Sequence, residues 1–208
     1  MKVYEFKGFP NPARVRIALA EKGLIDQVEF CHVDVPAGEH KRPDFLAKNP
    51  SGAVPVLELD DGTMISECSA ITDYIDHAAG DAELTGRNAK ERGVIGMMQR
   101  KIEAGLLDAV AAFFHHATEG LGPDIETYQN KGWGERQKEI AVSTMHWMEG
   151  NLRDRDYLAG ERFTVADITG MAGFAFADFV KLDIPDTCPR LQDWRARVSA
   201  RPSAKIAA

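Results

Sequence analysis

A proline that opens a strand, with an acid at the start of the helix that follows, constrains this chain more than any other feature. In the stretch SGAVPVLELDDGTMISECSAI, residues 51 to 71, Val54 precedes Pro55 and a strand pattern Val56-Leu57-Glu58-Leu59 follows. Asp61-Gly62 then marks a turn, and Glu67-Cys68-Ser69 opens a helical pattern. Proline cannot donate to a sheet ladder, so it belongs at the first residue of a strand or on an edge, and it biases the residue before it toward extended backbone. Taken alone, a trans proline beginning an edge strand accounts for Pro55. A cis bond is the alternative, and it would turn the Val54 backbone groups away from the sheet.

The surrounding pattern decides what kind of sheet this is. Lys2 to Phe6 reads as a first strand, Pro12 opens a helix carrying Val15, Ile17, Ala18 and Leu19, and Gly23 ends it. Val28 to Val35 alternates as a second strand, and Pro43 to Lys48 makes a helical turn. Val54 to Leu59 is the third strand, Met64 and Ile65 the fourth, and Glu67 to Ala79 a helix. The order is β-α-β-α-β-β-α. Past Gly80 the period changes to 3.6, with residues 86–88 as a linker. One helix is expected from Ala89 to about Ala117, its stripe running through Val94, Ile95, Met98, Ile102, Leu106, Val110 and Phe113. Another runs from about Trp133 to Arg153. Thr164 and Asp167 have capping-box spacing, with Phe163 set to staple onto Ile168. A last helix follows Pro189.

Composition removes several functional classes. With 208 residues, 44% hydrophobic and 27% charged, the chain can bury a full core as one large or two small domains. A net charge of −7, with no basic face, argues against a nucleic-acid partner. No run of eighteen apolar residues and no secretory leader is present, so no membrane span is expected and the location is read as cytoplasmic. Cys31, Cys68 and Cys188 are odd in number and far apart, which fits neither a disulfide framework nor a zinc site. The six histidines show no paired His/Cys spacing, and no metal is expected.

An α/β unit of this order with a proline opening its third strand is the thioredoxin arrangement, here followed by an all-helical segment. Over essentially its whole length the chain resembles the cytosolic glutathione S-transferases. Five stretches in order carry the resemblance: Asn11 to Leu19, Gly38 to Lys41, Asn49 to Pro55, Glu67 to Ile71, and the Phe163 to Asp167 cap. It is most similar to the yeast-type enzymes that lack the usual catalytic tyrosine, serine or cysteine. The resemblance implies an α+β protein with a thioredoxin-like glutathione-binding domain over residues 1–80. An all-helical domain over residues 88–208 would form the electrophile site. It also implies a cis Pro55 and a homodimer engaged in detoxification.

For the ligand, the resemblance implies that Val54 pairs antiparallel with the cysteinyl backbone of glutathione, beside Pro55. Glu67 would meet the γ-glutamyl ammonium, and Cys68, where a hydroxyl is usual, would bind the carboxylate mainly through its backbone N–H. A helix N-terminus favours an anion there on general grounds. His40 and Lys41 would meet the glycine carboxylate; without the resemblance they read as part of a solvated charge run, Glu39 to Arg42. Ala53 departs from relatives with a polar amide. Glu103, on the long helix, is a candidate for reaching a partner subunit's ligand, and ordinary helix solvation explains it equally well.

The thiol must ionise, and each unit of pKa depression needs about 1.4 kcal/mol of preferential stabilisation. The loop from Lys7 to Pro12 contains no Ser, Cys or Tyr, and Tyr4 belongs to the core. Asn11 is one candidate donor to the sulfur, although it is also an ordinary turn residue between two prolines. His115 or His116, near the end of the long helix, is the other, by resemblance to a histidine that holds a water; Ala111, one turn before His115, lacks the hydroxyl that accompanies it in relatives. A histidine pair at a helix end also complements the dipole. Phe9, Phe113 and His116, with Phe114, are expected to line the electrophile site. The function implied is conjugation of glutathione to hydrophobic electrophiles. The alternatives are a glutathione-dependent disulfide reductase or peroxidase, or a non-catalytic glutathione-binding protein.

Overall fold

The computed structural model describes residues 1–207 and divides into two compact units, Met1–Leu84 with the segment from Pro202 on, and Thr85–Arg201. In the first unit β1 (Lys2–Glu5), β2 (Glu29–His32), β3 (Val56–Glu58) and β4 (Met64–Ile65) form one sheet in the order β2-β1-β3-β4. β1 runs parallel to β2 and antiparallel to β3, with Val3 opposite Phe30 on one side and Leu57 on the other. Alternation along β1 buries Val3 and Glu5. A carboxylate buried there must be satisfied, and Arg16 takes Glu5 with Nε at 2.9 and 3.0 Å from its two oxygens. The same guanidinium lies 3.7 Å over the Phe30 ring.

Helix α1 (Pro10–Glu21) starts on a proline, whose missing N–H costs nothing there, and buries Val15, Ile17, Ala18 and Leu19. It closes through Gly23 at φ +67°, with the Leu24 N–H donating to Leu19 O at 2.8 Å. A short α2 (Pro43–Leu46) precedes β3, and α3 (Cys68–Ala78) follows β4, burying Ile71, Thr72 and Ile75. Lys22 and Asp76, both buried side chains, pair at 3.0 Å and fasten the end of α1 to the end of α3. Helix α9 (Pro202–Ala207) packs on α1, where the Ser203 hydroxyl donates to Glu21. The last helix therefore joins the first unit, whereas the sequence reading carried the second domain through to residue 208.

The second unit contains α4 (Ala89–Ile102), α5 (Asp108–Ala117), α6 (Lys131–Asn151), α7 (Val165–Phe179) and α8 (Pro189–Ser199). The single helix expected from Ala89 to Ala117 is interrupted by a wide π turn, Glu103–Leu107. Gly105, in that turn, lies so near Thr144 of α6 that an added Cβ would stand 2.5 Å from its Oγ1. The stripe is buried from Ile95 to Phe113, but Val94 is exposed. The capping box at the start of α7 is formed. The Thr164 N–H donates to Asp167 Oδ2 at 2.9 Å, while Asp167 Oδ1 accepts from Leu158 N and Trp194 Nε1, each at 2.9 Å. Among the described residues no helix is long and apolar enough to cross a membrane.

Candidate active site

In the first unit the loop Asn49–Pro55 is fixed from within. Buried Asn49 donates to Ala53 O at 2.8 Å and accepts from the Ser51 N–H and hydroxyl at 3.2 and 2.9 Å. Gly52, at φ +59°, lets the Lys41 ammonium reach its carbonyl at 2.9 Å; a Cβ there would stand 3.0 Å from both Lys41 Nζ and His40 O. The Val54–Pro55 bond is cis. Among the described residues neither the N–H nor the C=O of half-buried Val54 has a backbone partner, although buried polar backbone is almost always paired. These two groups are available to an incoming peptide.

His40 differs in setting from Lys41. It is only 6% exposed, and burial first, then the neighbouring Lys41 charge, pushes its imidazole below the usual histidine range. Its Nδ1 is buried without a hydrogen bond among the described residues. A neutral imidazole offers one N–H and no charge, so the cation of this pair is Lys41.

At the other end of the strand pair, Glu67 precedes α3 at φ +68°, a conformation rarely adopted by a residue with a side chain. Its side chain is exposed and no side chain caps the helix, whose N-terminus carries the positive end of the backbone dipole. Cys68 is buried, and its thiol donates to Asn11 O at 3.4 Å and meets Asn11 Oδ1 at 3.6 Å. Arg14, also buried, donates to the same Oδ1 at 3.1 Å. Tyr4 takes no part in this cluster. Its hydroxyl donates to Glu58 at 2.5 Å, which with burial pushes its pKa up to about 12. Phe9 is half-buried against Phe6, ring centroids 4.5 Å apart.

In the second unit both histidines at the end of α5 hold the loop that follows. His115 Nδ1 lies 2.6 Å from Glu126 Oε1, which also accepts from the Leu121 N–H at 2.8 Å. Gly120, at φ +57°, makes room: a Cβ there would stand 2.3 Å from that carboxylate oxygen. His116 Nδ1 accepts from Asn130 N at 3.2 Å, and Gln129 donates to the His115 carbonyl at 2.7 Å. Phe113, expected at the electrophile site, is only 8% exposed, with Lys138 Nζ 5.0 Å over its ring. Phe114, as buried as Phe113, packs edge-on to Phe176 and Phe179, at 5.4 and 5.6 Å, and of the three only Phe179 is largely exposed, at 69%. The sequence reading missed Glu126 and Phe179 because neither falls in a recognisable motif. Asn49, inside an Asn-Pro-Ser-Gly turn, carried a legible signal. No group of three or more His, Cys, Asp or Glu side chains among the described residues is arranged for a metal ion.

A four-stranded mixed sheet with flanking helices, joined in sequence to a helical unit, defines a thioredoxin-like domain with an α-helical partner domain. Residues 10–78 match the glutathione S-transferase N-terminal domain model, and residues 134–202 match the C-terminal one. The chain is 54% identical to glutathione S-transferase 2 of Saccharomyces cerevisiae over 99% of its own length and 88% of the relative's. The crystal structure of Gtt2 from the same yeast superposes with a TM-score of 0.98 at 53% identity, covering all of both chains. A glutathione S-transferase domain-containing protein of Marinobacter aquaeolei superposes at 0.96 with 59% identity, covering 98% of this chain and 99% of that one. The chain belongs to the glutathione S-transferase family.

Proposed function

We propose that this protein is a glutathione transferase that joins the glutathione thiolate to hydrophobic electrophiles, acting in the cytoplasm as a detoxifying homodimer. The unpaired backbone N–H and C=O of Val54 carry the reading, because they match the antiparallel pairing a tripeptide requires. Lys41, bent back to the Gly52 carbonyl, supplies the charge for the glycine carboxylate, with His40 contributing at most an N–H. Glu67 meets the γ-glutamyl ammonium, and the α3 N-terminus at Cys68 takes the carboxylate. Of Asn11 and His115, only the histidine can accept a proton. Its Nδ1 is engaged by Glu126, so Nε2 is the nitrogen offered to the thiol proton. Phe9, Phe113, Phe114 and His116 were expected around the electrophile; Phe114, together with Phe176 and Phe179, forms the aromatic cluster we assign to it in the helical unit.

The test is retention on immobilised glutathione, a glutathione-induced rise in melting temperature, and turnover of a panel of aryl halides, epoxides, hydroperoxides and mixed disulfides. Absence of both retention and thermal shift would sink the binding reading. Turnover of mixed disulfides or hydroperoxides alone would replace conjugation with the reductase or peroxidase reading.

A further inference from the structure

We propose that Asn11 reads the γ-glutamyl carboxylate of glutathione and not its thiol, with Arg14 deciding which end of the Asn11 amide is offered. The proposal rests on the glutathione-binding reading. A guanidinium can only donate, so the contact from Arg14 at 3.1 Å identifies the bonded amide atom as oxygen. The NH2 group is therefore the one turned away. Asn11 is exposed, and among the described residues its Nδ2 makes no hydrogen bond.

That amide sits beside the first residue of α3. The Cys68 thiol lies 3.4 Å from the Asn11 carbonyl and 3.6 Å from its Oδ1, so Asn11 rests on the first turn of α3. That turn holds the anion of the ligand in the proposed function. The Cys68 thiol is directed onto Asn11, so what Cys68 brings to a carboxylate is its backbone N–H. The side-chain donor at this corner is then Asn11 Nδ2. The sulfur, on the central cysteinyl residue, and the γ-glutamyl carboxylate are separated by the whole length of the γ-glutamyl chain, so an amide nitrogen placed to donate to one is not placed to donate to the other. Arg14 is a positioning residue here, and Asn11 a specificity-determining one.

Calorimetry with S-methylglutathione, which has no ionisable thiol, separates the two roles. Asn11→Ala is expected to weaken S-methylglutathione about tenfold, the usual loss for a hydrogen bond to a charged group. The same variant is expected to bind S-methyl-γ-aminobutyryl-cysteinylglycine, which lacks the carboxylate, as tightly as the wild type does. Asn11→Asp keeps the acceptor for Arg14 but replaces the donor with an oxygen, and should bind S-methylglutathione no better than Asn11→Ala. Thermal melts confirm that both variants are folded. An Asn11→Ala penalty that persists with the carboxylate-free peptide overturns the proposal. So does unchanged S-methylglutathione affinity accompanied by a higher pH for thiolate formation by bound glutathione, followed by ultraviolet absorbance. If the wild type binds neither peptide, the glutathione reading itself has failed; if only the difference between variants is missing, this assignment alone has failed.

Discussion

Lys41 donates its ammonium to the Gly52 carbonyl at 2.9 Å, which folds an exposed cation back onto the segment that ends at Val54. The arrangement depends on glycine, because φ at Gly52 is +59° and a Cβ would press on Lys41 Nζ, His40 O and Leu46 at once.

Gly52→Ala is therefore expected to cost about 1–3 kcal/mol of stability, from backbone strain and from displacing its neighbours. It should also weaken glutathione. Lys41→Ala should weaken glutathione with little change in melting temperature, since a surface contact contributes little to folding. That loss should shrink as salt is raised. Titrations of both variants at low and high ionic strength, with urea denaturation, check the pair. Salt-independent weakening in Lys41→Ala would remove its electrostatic role.

Asp167 gathers Thr164, Leu158 and Trp194 around one buried carboxylate. Burial raises its pKa from 3.8 to about 6, against the pull of those four donated hydrogen bonds. The folded value thus exceeds the unfolded one, so the contribution is fully present below about pH 4 and is lost as pH rises through about 6. Relative to Asp167→Asn, the wild type should lose on the order of 3 kcal/mol between pH 4 and pH 7. Asp167→Ala, which strands several buried donors, should cost about 3 kcal/mol or more at any pH in that range. Urea denaturation at several pH values tests both, and parallel curves for wild type and Asp167→Asn would disprove the shift.

This cap was readable in the sequence because its residues are local, three positions apart, and the hydrogen bonds they make are dictated by helix geometry. The sheet was readable for the same reason: alternation along Lys2 to Phe6 and the break at Pro55 are local signals. The π turn at Glu103–Leu107 was not, since its residues keep helical spacing, and the close approach of Thr144 to Gly105 within it comes from another helix. Burial of His40 was equally hidden, because the run Glu39 to Arg42 looks uniformly solvated. The partnership of His115 with Glu126 spans a loop without a motif, so only the folded chain brings the two together.

That partnership makes a separable prediction. If Glu126 fixes the His115 tautomer with the proton on Nδ1, Glu126→Ala should lower kcat about tenfold, less than the roughly hundredfold or more that a general base itself contributes, with a smaller effect on KM. Glu126→Gln retains an acceptor and should fall between. In a His115→Ala background the Glu126 substitutions should have no further effect on kcat, because the two act as a unit. Imidazole nitrogen shifts in labelled protein report the tautomer directly. Additive losses in kcat would reduce Glu126 to a tether for the loop, and full activity in His115→Ala would dismiss the histidine as base.

Glu67 sets function against stability most plainly. Holding a residue with a side chain at φ +68° costs on the order of 1–2 kcal/mol, and nothing in its own helix repays that, since Glu67 forms no side-chain cap. Glycine would relieve the strain but loses more entropy on folding, by roughly 0.5–1 kcal/mol. Glu67→Gly is therefore expected to be as stable as the wild type or up to about 1 kcal/mol more so, while losing affinity for glutathione through the missing partner of its ammonium. Glu67→Ala keeps the strained Cβ and should lose the same affinity without gaining stability. Urea denaturation and calorimetry on the two variants decide the matter. A Glu67→Gly protein that binds glutathione normally would show that the strain serves the turn into α3 and not the ligand.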